Sequence, residues 1–316
     1  MGILHRRHLR QKTLHALYAN YQNDNGESVG LKNLKASLEK VYEMYILLLR
    51  LLADLKVLAE ERAVTQKAEK KTLGTAKLPE EIFAENKVLI ALEQSADLQA
   101  KVAALKLDWF RDDPEIVDKI FRTFARTEDY KTYIQDRDES FKMDLKLVLK
   151  IFRQYVVNSE GLQKTIEDKS IYWTDDLDLV SIHVIKTLES INPEDLTLSL
   201  IPLYKDFDDD NAFVRKVFSN TKRNFEEWEE IIEKHAKNWE VERIALMDRL
   251  IMGMALTEFC DFPEIPVKVS LNEYIDLAKE YSTNKSKNFV NGILDKAINN
   301  LKEEGRISKS GRGLIE

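Results

Sequence analysis

The chain has 316 residues, enough for one large domain or two ordinary ones, and its ten glycines and six prolines make up only about 5% of it against roughly 12% in average usage, which argues against a turn-rich all-β fold. Only Gly311 and Gly313 form a Gly-x-Gly, at the far C-terminal end, so the dinucleotide fingerprint, the phosphate-cradling loop and a cofactor-binding methyltransferase domain are all excluded. The net charge is −7, Cys260 is the single cysteine, no apolar run approaches a membrane span and the first residues lack a secretory h-region, so the expectation is a cytoplasmic protein with no membrane segment.

The elements are helical from the start. Over about 5–22, Leu14, Leu17, Tyr18 and Tyr21 recur at helical spacing. This first helix carries Arg6, Arg7, Arg10 and Lys12, with no acid before Asp24. Stepping back from Leu14 and Leu17 by helical intervals reaches Arg7 and Arg10, and Arg6 lies four before Arg10, so the arginines continue the core-facing stripe. Three guanidiniums cannot be buried together unpaired, so the helix is expected to overrun its bundle and present its first turns at an edge. Cations at a helix N-terminus also oppose the macrodipole, which invites an anionic partner; a frayed solubilising tail fits the same residues.

A Gly-containing break over 23–30 is followed by a long helix over 31–62, with Leu34, Leu38, Val41, Tyr45, Leu48, Leu52 and Leu55 on a broad apolar face, and then by a polar stretch over 60–77 that reads as a loop or a frayed helix end. Pro79-Glu80-Glu81 starts a helix running to Leu107, and Asp113-Pro114-Glu115 starts another to about Arg126. Further helices fit 139–158, 176–191 and 210–237. The aspartates at 206, 208, 209 and 210 lack the Gly and Glu of a calcium loop and read as a helix cap. Residues 241–259 are apolar on nearly all sides, which predicts a central helix of a bundle. Ser270-Leu271-Asn272-Glu273 has the pattern of a capping box, with Val269 and Tyr274 at staple positions. The last helix carries Phe289, Val290, Ile293, Leu294, Ala297 and Leu301, with Gly305 as its stop and a Gly/Ser/Arg-rich tail expected to be disordered. Gly292, within that helix, implies close packing, with Gly253 as a candidate partner. Lys285, Lys287, Lys296 and Lys302 face a single acid, Asp295, across 281–302. Phe289 stands in phase with Ile293, and Tyr18 with Leu14, so both also fit a core. The histidines and Cys260 assemble no metal site, and nothing combines a nucleophile, a base and an oxyanion donor.

Several segments resemble the NusB family. Arg6-Arg7-x-x-Arg10 with Leu14-His15-Ala16-Leu17-Tyr18 is similar to the family's opening. Arg243-Ile244-Ala245-Leu246, Asp248, Ala255-Leu256-x-Glu258 and Pro266-x-Lys268-Val269-x-Leu271-Asn272-Glu273 resemble its central and following helices. Asn288-Phe289-Val290-Asn291-Gly292-Ile293-Leu294-Asp295-Lys296 is close to its Phe-Val-Asn-Gly-x-Leu-Asp-Lys signature. The likeness covers 1–26 and 206–316, leaving 27–205 as a helical insertion. It implies an all-α fold of NusB-like helical bundles with a large insertion, no catalysis and no cofactor. It implies binding of single-stranded boxA RNA from ribosomal RNA leaders together with NusE, a small-subunit ribosomal protein, within the RNA polymerase antitermination complex. The RNA-facing positions map onto Arg6, Arg7, Arg10 and Phe289, with Lys285 and Lys287 beside the latter, and the NusE-facing ones onto Tyr18 and Asp248. His8 stands where another Arg is common, and Lys285 where relatives often have an acid. The competing expectation is a helical interaction scaffold without RNA binding, for which arginines in core phase have no use.

Overall fold

The structure, a computed structural model, describes residues 2–23, 26–69, 77–236, 244–283 and 286–314. In chain order its helices are α1 (Arg6–Gln22), α2 (Glu27–Glu69), α3 (Pro79–Ala84), α4 (Lys87–Gln94), α5 (Ala96–Leu105), α6 (Trp109–Asp112), α7 (Pro114–Ala125) and α8 (Glu128–Asp136). There follow α9 (Phe141–Ile151), α10 (Glu160–Lys169), α11 (Leu177–Glu189), α12 (Phe207–Arg223), α13 (Phe225–His235), α14 (Leu246–Asp261), α15 (Val267–Tyr281) and α16 (Ser286–Glu303). The fold is all-α, with no strand among the described residues and no helix there long and apolar enough to cross a membrane.

The predicted helix over 79–107 is three helices, because two polar side chains bond locally and end the run. Asn86 Oδ1 accepts from the N–H groups of Val88 and Leu89 at 3.0 and 3.2 Å, and Ser95 Oγ accepts from Leu98 N at 3.3 Å. The predicted 210–237 helix is also two helices, meeting at Asn224, whose side chain makes no capping bond to α13. Three short helices escaped the periodicity, α6, α8 and α10, the last two opened by hydroxyl caps from Thr127 and Ser159. Helix α2 begins before Gly30, not after it. A Cβ at Gly30 would meet Phe218 at 2.3 Å and Asn20 at 2.8 Å, so this glycine admits close packing rather than breaking the chain.

Two compact units form. One comprises Gly2–Leu38 and Tyr204–Glu316, the other Glu39–Leu203. The first division falls inside α2 after Leu38, whereas the sequence pattern suggested residue 26; Leu34 and Leu38 are buried, and Gly30 before them lies against Phe218 of α12 and Asn20 of α1. In the 2–38/204–316 unit, α14 is central: Leu250, Ile251, Met252, Met254, Ala255, Leu256 and Phe259 are fully buried, and α1, α12, α13, α15 and α16 pack on it. Gly253 faces Phe225 and Thr221, while a Cβ on Gly292 would meet nothing within 4 Å, so the expected packing of the two glycines is not formed. Gly305, at φ 69°, ends α16. The described tail after it, 306–314, is docked and not disordered: Ser310 N donates to Pro263 O at 3.0 Å and Lys309 Nζ to Phe262 O at 2.8 Å.

The 39–203 unit is built around α2, where Tyr45, Leu48, Leu49, Leu52 and Leu55 are fully buried. Trp109 Nε1 donates to Leu47 O at 2.9 Å, Trp173 Nε1 to Lys40 O at 2.7 Å, and Tyr45 OH meets Thr187 Oγ1 at 2.7 Å. Phe83, Phe121, Phe124 and Tyr130 form a second cluster with centroids 5.0–6.4 Å apart. Asp54 is fully buried on α2, with Arg50 Nε 2.7 Å from its Oδ1. Burial pushes its carboxyl up to about 7, against which Arg50 acts only in part. Because this folded value lies above the unfolded one, stability is full below about pH 4 and is lost as pH rises through 7. Asp54→Asn is expected to leave urea melts unchanged near pH 4 and to stabilise the fold near pH 8 by on the order of 2–4 kcal/mol.

Candidate RNA and partner interface

The three arginines of α1 go to three different places. Arg10 is 3% exposed and makes a bidentate pair with the fully buried Glu258 of α14, Nε to Oε2 at 2.9 Å and Nη2 to Oε1 at 2.7 Å. Its Nη1 reaches Glu273 at 3.3 Å. Ser270 Oγ and Tyr274 OH donate to the same Glu258 carboxylate at 2.6 and 2.9 Å. Burial alone would lower the guanidinium's affinity for its proton, but Glu258 outweighs it and holds Arg10 above its ordinary value. Burial, with the Glu258 charge, raises the Tyr274 hydroxyl well above its own.

Two expectations are thereby corrected. Arg10 is a core residue with its donors satisfied, not a cation at an open edge, because a paired guanidinium can be buried where an unpaired one cannot. The Ser270–Glu273 pattern is not a capping box: α15 begins after Pro266, Ser270 lies inside it, and both side chains are drawn into the Glu258 network. Val269 is exposed and Tyr274 buried, so they form no staple.

Arg6 pairs with Asp209 at 2.5 Å and Asp210 at 3.8 Å and lies 4.1 Å from the Phe213 ring centre. These acids open α12, whose N-cap is Asp206. The aspartate cluster is therefore a helix start that occupies Arg6.

Arg7 is the arginine that stays at the surface, 51% exposed, with Asp276 and Glu280 of α15 each 3.7 Å away. Asp276 also bonds Lys279 and feels Lys287 of α16. The Lys279 bond, followed by the charges of Lys279, Arg7 and Lys287, holds its carboxyl below the usual range. Cations from α1, α15 and α16 thus gather around one carboxylate. Beside them on α1, Gln11 bonds Tyr281 and the His15 ring meets Tyr281 edge-on at 4.8 Å. Phe289 is half-buried in the first turns of α16, two residues beyond Lys287, and Gly292 leaves the next turn open. Lys279 was missed in the sequence because an Asp-x-x-Lys pair on a helix looks like ordinary surface. Lys285 and Arg243 lie outside the described residues.

Tyr18 is half-buried, its hydroxyl accepting from Gln22 Nε2 at 3.2 Å. Asp248, expected at an exposed edge, is 4% exposed in the first turn of α14, where a carboxylate suits the positive helix end.

Comparison with known proteins finds one recurring likeness. Residues 180–299 match the NusB family model. A transcription antitermination protein NusB from Salinibacter ruber is 50% identical over 103 residues, 33% of this chain and 64% of the relative. Its namesake from Chloroherpeton thalassium is 41% identical over 133 residues, 42% of this chain and 59% of the relative. That from Natranaerobius thermophilus is 39% identical over 89 residues, 28% and 64%. These stretches of the chain are similar to the NusB family, and the chain spans about three fifths of the length of these curated relatives. No solved structure matches.

The buried pair gives a stability prediction. Glu258→Ala leaves Arg10 buried without its main partner and should cost about 3–5 kcal/mol in chemical denaturation. The double replacement Arg10→Met with Glu258→Leu should recover most of that loss; a double variant as unstable as the single one would show that the pair is not the cause.

Proposed function

We propose that this chain is an RNA-binding transcription antitermination factor that acts by binding, without catalysis or a cofactor. It binds boxA-type single-stranded leader RNA of ribosomal RNA operons together with NusE and joins the RNA polymerase antitermination complex. The observation that carries this reading is the gathering of Arg7, Lys279 and Lys287 from three helices around Asp276, with Phe289 on the same helix as Lys287. Cations that hold phosphates beside an aromatic face that stacks a base are the two parts of single-strand recognition. The names of the curated relatives support the antitermination role.

The scaffold reading draws on the intramolecular pairs that occupy Arg6 and Arg10. Salt dependence separates the two. Three phosphate contacts give a slope of roughly −2 for log affinity against log salt, at about −0.7 per contact. Phe289→Ala should weaken binding of a boxA-type RNA at least tenfold in filter titrations, stacking being worth about 1–3 kcal/mol per base. The same variant should lose less than about 1.5 kcal/mol in urea, as a half-buried side chain does. A flat salt response with full stability loss would favour the scaffold.

For the partner, Tyr18 is the accessible contact. Tyr18→Ala should remove co-elution with NusE while leaving the helical circular dichroism intact. Asp248→Lys, by contrast, should destabilise the fold itself, since it places an ammonium at a buried helix start.

A further inference from the structure

The unit of residues 39–203 holds 31 acids and 24 cations, so the whole acid excess of the chain lies in it. Most of its described cations are neutralised locally, as in Lys40–Glu43, Lys56–Glu60 and Arg62–Asp118. Helix α9 and the π-helical turn that continues it, Phe152–Val156, are different. The segment 141–156 contains one acid, Asp144, and that carboxylate is fully buried, accepting from Tyr133 OH at 2.6 Å and Lys87 N at 2.8 Å. Its solvent side carries Lys142, Lys146, Lys150 and Arg153. Lys150 pairs with Asp129 at 2.5 Å and Arg153 lies 3.8 Å from Glu189. Lys142 and Lys146 are exposed and form no ion pair among the described residues.

From this we infer that α9 is a second RNA-contacting surface, in which Lys142 and Lys146, extended by Lys150 and Arg153, hold the phosphate backbone of single-stranded RNA. The lysines recur every four residues, a rise of roughly 6 Å per step along one line of the helix. A straight row of like charges with no interleaved acid suits a linear polyanion better than a folded acidic protein, whose carboxylates are scattered over a curved surface. π-Turns inside helices are frequent at functional sites, and this one closes the row at Arg153. The contact reads no bases, because ammonium groups on flexible stems offer point charge and not a base-edge pattern. The inference rests on the reading that the chain binds RNA, but it assigns contacts to a unit for which that reading named none.

The experiment is a salt titration of the full chain with a boxA-type RNA extended by unstructured flanking sequence. The double variant Lys142→Gln, Lys146→Gln is compared with wild type and with Lys119→Gln, Lys164→Gln, which removes two other exposed cations of the same unit. The stripe variant should flatten the salt slope by about 1.4 and weaken binding roughly tenfold near physiological salt, equally for boxA-type and scrambled sequence. The control variant should stay within twofold of wild type. Equal effects of both variants would make the loss a matter of net charge and overturn the inference, as would an unchanged stripe variant on an RNA that wild type binds; the RNA-binding reading survives both results. A wild-type chain that binds no RNA overturns both readings. Loss of binding to an acidic protein, with RNA affinity unchanged, would reassign the stripe to a protein partner and also overturn it.

Discussion

The buried Arg10–Glu258 pair sets the geometry of the NusB-like unit. Glu258 is fully buried on the central helix, and a carboxylate there is tolerable only with its oxygens satisfied. Arg10 from α1 and Ser270 and Tyr274 from α15 supply the donors, so one carboxylate ties three helices together. Lys309 adds the tail, reaching the Glu258 and Phe262 carbonyls at the end of α14. The pair also fixes the rotation of α1. At about 100° per residue, an inward Arg10 places Arg6 and Arg7 on opposite flanks, roughly 40° and 60° away. One flank meets the acids that open α12, and the other meets the C-terminal end of α15, where Lys279 and Lys287 converge. The surface cation cluster is thus a consequence of a core interaction.

This arrangement divides labour within a sequence motif. Arg6, Arg7 and Arg10 look equivalent in the chain, yet one anchors a helix start, one is the core partner of Glu258, and one remains at the surface beside half-exposed Asp276 and Glu280. The pairs of Arg7 are long, 3.7 Å, and solvent-exposed, where ion pairs are worth little and exchange readily for another anion. A phosphate can therefore compete for Arg7 far more easily than for Arg10.

The helical class, the central position of α14 and the end of α16 at Gly305 were legible because they depend on local periodicity and backbone conformation. The phase of Arg10 toward the core was legible too. Its partner was not, because Glu258 lies 248 residues away and reads as one more residue of an apolar helix. Ser270–Glu273 and Gly30 misled for a shared reason: a local pattern has a local meaning only when no distant group claims its atoms. Glu258 claims Ser270, and Phe218 claims the space at Gly30. The tail at 306–314 looked disordered by composition, yet a Cβ at Gly313 would stand 1.9 Å from Pro263 O, so the small residue is what lets the chain dock. Of the proposed RNA face, Arg7, Lys287 and Phe289 were legible from the resemblance, whereas Lys279 required the tertiary meeting of α1, α15 and α16 around Asp276.

The central claim is that RNA sits on the face made by the start of α1, the end of α15 and the start of α16. Amide hydrogen exchange of the full chain, with and without a boxA-type RNA, tests it most directly. The account predicts slowed exchange at the first turns of α1, around Asp276–Tyr281 and over the first turns of α16, with the α12–α13 region unchanged. Saturating RNA that leaves these three segments unprotected, or that protects α12 and α13 instead, would contradict it.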